Sequence, residues 1–283
     1  MKNFIIRSLT GIVYAGTVTF GVIYSAYTFL ALFLIITVLC LREFYRLINI
    51  QKDTNINPYV HGIGGALLFL ATFLYISGAT CHLIFTFYLF YIVGTLIYEL
   101  YANQKDPVAR LASVFFGQFY IALPFSLLNL LAFPGSGANP PVYQWVWIIA
   151  LLVFIWANDS GAYLIGVRLG KHRLWERISP KKSWEGFFGG LAFAIASAFV
   201  FAHFQPQIAW VHWVALSIGV VIFSTYGDLV ESLIKRTSDV KDSGSLLPGH
   251  GGFLDRFDSL LLAVYVVVIY LQVFIRFELF LSY

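Results

Sequence analysis

Residues 232–258 read SLIKRTSDVKDSGSLLPGHGGFLDRFD, a charged and glycine-rich stretch in an otherwise apolar part of the chain. It follows an apolar run that begins near residue 208, and it precedes another at residues 259–279. Each run is long enough to cross a bilayer as an α-helix, which takes about 20 apolar residues. A simple connection between two such helices does not need so many charged residues. The stretch therefore predicts a membrane-embedded fold with a polar site at the ends of two membrane helices.

The composition of the whole chain agrees with this interpretation. Of its 283 residues, 59% are hydrophobic and only 11% are charged, whereas soluble domains have about 25% charged residues. The two cysteines, Cys40 and Cys81, are far apart and suggest neither a metal cluster nor a disulfide framework. Backbone groups in hydrocarbon must be paired within their own segment, so the spans have to be helices. We predict an all-α, polytopic integral membrane protein and no separate soluble domain.

The apolar runs predict about nine transmembrane helices. Those before residue 144 form an N-terminal membrane region (1–143), and those after it form a C-terminal catalytic region (144–283). The predicted spans lie near residues 8–24, 25–42, 60–78, 82–101, 113–133, 144–166, 186–204, 208–234 and 259–279.

The distribution of basic residues tests this count. With alternating spans, the Lys and Arg residues of all the interhelical segments fall on one side, and only Arg276 breaks the pattern. The opposite connections, near residues 25, 79–81, 134–143 and 205–207, carry no charged residue. Cytoplasmic loops are enriched in Lys and Arg. The N-terminus is therefore predicted to be cytoplasmic and the C-terminus outside.

One face of the eighth predicted span carries polar groups. Asp228, Glu231, Ser232 and Lys235 are spaced i, i+3, i+4 and i+7, which puts them on the same side of a helix. An intramembrane carboxylate is costly, so it should face the protein interior and have a partner. A functional site and a simple ion pair with Lys235 both fit this pattern.

The segment PGHGGFLDRFD, residues 248–258, combines glycines with two carboxylates. Its glycines let backbone N–H groups approach an anion closely. Asp255 and Asp258 are spaced i, i+3, and carboxylate oxygens suit Mg²⁺, which usually takes one or two of them plus phosphate oxygens and water. Asp258 could instead cap the following helix. His250 is better explained as a hydrogen-bond donor to phosphate, or as a residue that orders the loop through a hydrogen bond, than as a zinc ligand.

Two further segments carry polar residues. Asp159 lies within WANDSGAY, residues 156–163 of an apolar span, where a functional role and a polar contact within the bundle are both open. The compact run of Ser179, Lys181 and Lys182 in the next basic loop suggests a phosphate clamp. Ordinary positive-inside charge and binding to anionic lipid are the alternatives there. The glycines at 186–190 predict close packing of the seventh span on a neighbour.

Together, these segments resemble the phosphatidate cytidylyltransferases, also called CDP-diacylglycerol synthases. The resemblance covers residues 150–283 well, and includes the NDSGAY and SPKKSWEG segments and the Gly-Asp pair at 227–228. The long signature of that family is matched by Ser232, Lys235, Arg236, Lys241, Asp242, His250, Gly251, Gly252, Asp255, Arg256 and Asp258.

The resemblance implies an Mg²⁺-dependent transfer of a cytidylyl group from CTP to phosphatidate, in a homodimer, without nucleic acid. Asp228 and Asp255 are expected to hold the metal. The further catalytic residues are expected to be Lys235, Arg236, Lys241, Asp242 and Asp258. Substrate binding is expected at Asp159, Ser179, Lys181, Lys182, Ser232, His250, Gly251, Gly252 and Arg256.

Two other functions fit parts of the sequence. A CTP-dependent kinase of lipid alcohols, of the dolichol or phytol kinase type, would release CDP instead of pyrophosphate. A transporter is less favoured, because polar residues crowd one side of the predicted membrane rather than its middle. The lack of an N-terminal extension favours the inner membrane of a bacterial cell, with the site on the cytoplasmic side; an organelle membrane is the alternative.

Overall fold

A computed structural model describes residues 2–52, 54–102, 105–135, 141–238, 240, 242–244 and 251–275. Within them the regular secondary structure is helical apart from one short β-hairpin. The helices are α1 (Lys2–Tyr24), α2 (Ala26–Lys52), α3 (Pro58–Ile76), α4 (Thr86–Tyr101), α5 (Pro107–Gly117), α6 (Leu123–Ala132), α7 (Val146–Leu169), α8 (Trp184–Phe204), α9 (Trp210–Thr237) and α10 (Leu254–Tyr270).

Short irregular helices extend three of these elements. A 3₁₀ turn, His82–Phe85, leads into α4; a π-helical segment, Gln118–Ala122, joins α5 to α6; and another, Leu271–Ile275, ends α10. In the described part of the chain, eight helical segments are long and apolar enough to cross a membrane, and Thr10–Tyr24 is a shorter apolar helix. The predicted all-α polytopic class is confirmed.

The chain forms two compact units. The first contains Met1–Trp145 and Thr237–Arg256, so the charged segment after α9 groups with the N-terminal helices. The second contains Val146–Arg236 and Phe257–Tyr283. The division falls within the first turn of α10.

The first unit has an aromatic core with a few buried polar side chains. Phe29 contacts the rings of Phe33 and Phe69, and all three are fully buried. In the π-helical segment, Gln118 Nε2 donates hydrogen bonds to the His61 carbonyl (2.8 Å) and the Tyr45 hydroxyl (3.1 Å). These bonds tie α2, α3 and the α5–α6 span together, which satisfies polar groups that would be costly in an apolar interior.

Close packing of α7 against α8 organises the second unit. A Cβ atom on Gly190 would lie 2.6 Å from the carbonyl oxygen of Asn158, and one on Gly189 would lie 2.5 Å from Ile165 Cβ. Only glycine permits this approach, as is common between membrane helices. The close packing predicted for this glycine cluster is confirmed.

The β-hairpin between α7 and α8 was not predicted. Strands β1 (Arg173–Trp175) and β2 (Ser179–Ser183) are antiparallel, with Arg173 opposite Ser183. The hairpin is fixed at its base. The Glu185 carboxylate accepts hydrogen bonds from the backbone N–H of Lys171 (3.1 Å) and His172 (3.2 Å), and Ser183 Oγ caps α8 by accepting from Gly186 N (3.1 Å). Lys181 and Lys182 therefore lie on a hairpin whose base is held by hydrogen bonds.

Candidate active site

Three carboxylates of the second unit converge at the ends of α9 and α10. One oxygen each from Asp228, Glu231 and Asp258 lies within 4.8 Å of the other two. Gly227 makes the approach possible, because a Cβ there would lie 2.6 Å from the Asp258 carbonyl oxygen. Glu231 and Asp258 are buried and Asp228 is partly exposed. We call these three residues the acidic trio.

Two lysines neutralise much of the charge of the acidic trio. Lys235 Nζ lies 2.5 Å from a Glu231 oxygen, one helical turn away, and Lys182 Nζ lies 2.6 Å from Asp228 Oδ2. Ser232 Oγ donates to Asp228 Oδ1 over 3.2 Å. The ion pair expected as the alternative for this helix face is therefore present, on Glu231. Asp228 is paired instead with the hairpin.

A cavity of about 540 Å³ adjoins this cluster. Its polar lining comes from α7, the hairpin and α9, and includes Asn158, Asp159, Arg173, Lys181, Lys182 and Thr225. The volume falls in the range of about 300–1,000 Å³ that is usual for small-molecule sites. Because Lys182 both lines the cavity and contacts Asp228, a molecule bound there would lie beside the acidic trio.

A second carboxylate cluster lies in the first unit, around Asp255. The Asp255 carboxylate accepts hydrogen bonds from the backbone N–H groups of Gly252 (2.8 Å) and Ser243 (3.0 Å). Gly251 has a positive φ of 81°, and a Cβ on it would lie 2.6 Å from Asp255 Oδ2. Glycine is therefore required here both by the backbone conformation and by the close carboxylate.

Glu43 of α2 completes this second cluster. Its Oε2 accepts hydrogen bonds from Ser243 Oγ (3.1 Å) and from the backbone N–H of Leu254 (2.9 Å), the first residue of α10. The side chain is buried, with 2% of the residue exposed. We call Glu43, Ser243, Gly252, Leu254 and Asp255 the Glu43 cluster.

The predicted site residues fall into groups. Asp228, Ser232, Lys235, Asp258 and Lys182 are brought together with Glu231. Asp159 and Lys181 line the adjoining cavity, while Ser179 begins β2. Arg236, Asp242 and Arg256 are exposed. Lys241 and His250 lie outside the described residues. Asp255 and Asp228 belong to different units, so their sharing of one metal ion stays a prediction.

One alternative from the sequence is wrong. Asp258 does not cap a helix, because α10 begins four residues earlier, at Leu254. The residues from Leu254 onward are compatible with a helix. The free N–H of Leu254 at the helix start donates a hydrogen bond to Glu43. Asp258 is thereby carried inside the helix, where its carboxylate meets those of α9.

Two carboxylates of these clusters were missed. Glu231 was recognised on the helix face, with an ion pair to Lys235 as an alternative, but it was not assigned to the site. Glu43 was not considered at all. The only available signal was a single carboxylate following an apolar run in the second span, IITVLCLREFY, and such a residue calls for a buried partner.

The acidic trio has the chemistry of a divalent-cation site. Carboxylate oxygens are the hard ligands that Mg²⁺ prefers, at about 2.0–2.1 Å in octahedral geometry. Three oxygens on one ion would be about 3–4 Å apart in that geometry, so a small contraction of the observed cluster would fit the ion. Asp228, Glu231 and Asp258 thus form a group among the described residues that could hold Mg²⁺.

The fold and these clusters define a polytopic membrane protein with a carboxylate and lysine site beside a small-molecule cavity. The family described as the cytidylyltransferase family matches residues 5–274, nearly the whole chain. The chain belongs to this family.

Individual relatives match over part of their length. The chain is 48% identical over 124 residues to a phosphatidate cytidylyltransferase of Bacillus subtilis, covering 44% of this chain and 46% of the relative. It is 45% identical over 131 residues to one of Haemophilus influenzae (44% and 46%) and 38% identical over 161 residues to one of Mycobacterium bovis (56% and 50%). The matched segment thus spans about half the length of these curated relatives.

Proposed function

We propose that the protein transfers a cytidylyl group from CTP to phosphatidate and forms CDP-diacylglycerol and pyrophosphate for phospholipid synthesis. The observation that carries the proposal is the acidic trio with its two lysines beside a polar cavity. Membership of the cytidylyltransferase family and the names of the relatives support the same reaction.

The reaction joins two anions. A phosphate oxygen of phosphatidate attacks the α-phosphorus of CTP, and the bond from that phosphorus to the oxygen bridging to the β-phosphorus breaks. The electron pair leaves with pyrophosphate. The attacking phosphate is already ionised, so no strong general base is required. Catalysis then depends on holding the anions together and stabilising charge on the leaving group.

The acidic trio would hold Mg²⁺, which supplies charge neutralisation on the nucleotide phosphates when bound. Asp228 is the most accessible of the three carboxylates, since about a third of its side chain is exposed. The sequence also assigns Asp255 to the same ion, together with Asp228, and this assignment remains a prediction. Lys235 keeps Glu231 compensated within the protein interior.

The lysines of the hairpin would bind phosphate groups. Lys182 now rests on Asp228 and lines the cavity, so a short side-chain movement would bring its ammonium group to a bound phosphate. Lys181 and Arg173 line the same cavity and add positive charge. Lys182 would then exchange a carboxylate partner for a phosphate partner as substrate and metal enter.

Product analysis tests the reaction. Purified protein is incubated with α-³²P-labelled CTP, Mg²⁺ and either phosphatidate or a long-chain polyprenol. We expect a labelled lipid and free pyrophosphate with phosphatidate only, and no product after chelation with EDTA until Mg²⁺ is restored. Release of labelled CDP with the polyprenol would instead identify a lipid-alcohol kinase. No turnover of either lipid would refute the proposed reaction.

We further infer that the protein works in a bacterial inner membrane as a homodimer, with its active site on the cytoplasmic side. The distribution of basic residues supports the sidedness, and the resemblance to the family supports the dimer.

The native cysteines offer a test of sidedness. Cys81 is exposed, whereas Cys40 is buried in α2. The predicted topology puts Cys81 at the outer surface. In intact spheroplasts, a membrane-impermeant maleimide should label the wild-type protein but not the Cys81→Ser variant. Labelling of Cys81 only after the membrane is opened would reverse the predicted orientation.

A further inference from the structure

We propose that Glu43, in the N-terminal half of the chain, is a positioning residue for the Asp255 carboxylate. This inference rests on the proposed function for its catalytic consequence. Its structural basis is the Glu43 cluster, in which two carboxylates from distant parts of the chain share the same loop residues.

Ser243 links the two carboxylates directly. Its hydroxyl donates to Glu43 Oε2 over 3.1 Å, while its backbone N–H donates to Asp255 Oδ2 over 3.0 Å. Ser243 is buried, so water is not a ready substitute for either partner. A displacement of the Glu43 carboxylate would therefore move a donor on which Asp255 depends.

Gly252 and Gly244 fit closely around the Glu43 side chain. A Cβ on Gly252 would lie within 2.5 Å of Glu43 Oε2, and one on Gly244 would lie 2.5 Å from Oε1. The Gly252 N–H in turn donates to Asp255 over 2.8 Å. The backbone at residues 243–244 and at Gly252 thus lies close to the Glu43 carboxylate, and the N–H groups of Ser243 and Gly252 bind the Asp255 carboxylate.

Glu43 also fixes the start of α10. The N–H groups of the first helical turn have no partner within the helix, and the Leu254 N–H bonds to Glu43 Oε2 over 2.9 Å. A carboxylate at this end is also favoured by the helix dipole. Asp255 is the next residue of the helix, so Glu43 holds the helix start from which the Asp255 side chain projects.

The simple alternative is that Glu43 only stabilises the fold. The two roles differ in what a conservative substitution does. Glu43→Gln keeps the size and one carbonyl oxygen but loses the negative charge and one acceptor oxygen. If the role of Glu43 is purely structural, this substitution should lower the amount or the thermal stability of the protein and leave the turnover of the folded fraction unchanged.

The experiment uses the whole chain. The turnover of the wild type with CTP and phosphatidate is measured first. For Glu43→Gln we expect kcat to fall about 10-fold or more, as when a group that orients a reactive ligand is lost. The KM for phosphatidate should stay within about twofold. Hydrogen exchange should accelerate in peptides covering residues 242–256, a readout that is independent of activity.

The matched control is Glu99→Gln. Glu99 is another buried carboxylate of the same unit, paired with Arg110 over 3.2 Å. This variant should keep the kcat and the exchange pattern of residues 242–256, even if its thermal stability drops. An equal loss of kcat in both variants would reduce Glu43 to a structural residue.

A second variant, Gly244→Ala, would displace the Glu43 side chain without changing its charge. At Gly244, the three nearest atoms that a new Cβ would meet belong to Glu43. Gly244→Ala should therefore lower kcat and accelerate exchange as Glu43→Gln does, so the test survives if Glu43→Gln does not fold. Normal kcat and normal exchange in Gly244→Ala would overturn the inference. Absence of turnover in the wild type would instead refute the proposed function, and the exchange data would still decide the role of Glu43.

Discussion

The acidic trio and the Glu43 cluster are both carboxylate sites, but they are compensated in different ways. In the Glu43 cluster, the described partners are backbone N–H groups and a buried hydroxyl. For Asp228 and Glu231 of the acidic trio, they are lysine side chains and a partly exposed hydroxyl, while Asp258 accepts from the backbone N–H of Ser259. The backbone donors cannot leave unless the chain itself moves at Ser243, Gly252 or Leu254, whereas a lysine side chain can rotate away. The difference suggests a fixed support in one unit and an exchangeable, metal-accepting site in the other.

The largest effect is expected at the exchangeable site. Asp228→Asn keeps the shape of the side chain but removes the charge that would bind the metal. We expect kcat to fall at least about 100-fold, the order seen when a charge-stabilising group is removed. Steady-state assays with CTP and phosphatidate measure it, with Glu99→Gln as the control. Near-normal turnover would falsify the role of Asp228 as a metal ligand.

Substitution of one serine in each cluster allows a direct comparison of their hydrogen bonds. Ser243 Oγ donates to Glu43 in a buried setting, and Ser232 Oγ donates to the partly exposed Asp228, at similar distances of 3.1 and 3.2 Å. Ser243→Ala should cost about 1.5–3 kcal/mol of stability, because a buried charged group loses a donor. Ser232→Ala should cost clearly less, since water can reach Asp228. Thermal unfolding in detergent compares the two variants, and equal losses would contradict the distinction between the clusters.

The smallest effect concerns the exchange of Lys182. If Lys182 competes with a cation for Asp228, Lys182→Ala should tighten Mn²⁺ binding by up to about fivefold, because a partly exposed ion pair is worth at most about 1 kcal/mol. Electron paramagnetic resonance of free Mn²⁺ measures this without any turnover. Lys181→Ala, at the exposed neighbouring position, should leave Mn²⁺ binding nearly unchanged. Weaker Mn²⁺ binding by Lys182→Ala would show that Lys182 does not compete with the cation.

Much of the candidate site was predictable from local spacing. The shared face of Asp228, Glu231, Ser232 and Lys235 follows from helical periodicity, and the structure confirms it through the bonds along that face. The close approach of α8 to α7 followed in the same way from clustered glycines. Both depend on residues a few positions apart, whose geometry one helix fixes.

The remaining parts of the site depend on distant residues. Glu43 and Ser243 are 200 positions apart, and no local pattern connects them. The hairpin was missed because its strands are only three and five residues long and its polar sequence carries no alternating apolar pattern. Asp258 was misplaced at a helix start, because the true start of α10 depends on a cap supplied by α2.

The sequence by itself determined that the chain is a helical membrane protein and where its apolar spans lie, since the length of an apolar run is a local property that a bilayer selects. It also determined which polar residues depart from that pattern. Only the tertiary structure decided the partner of each carboxylate: lysines for Asp228 and Glu231, backbone N–H groups for Asp255 and Glu43. The reason is that hydrogen bonds and ion pairs act over about 3–4 Å, and packing alone brings distant segments that close.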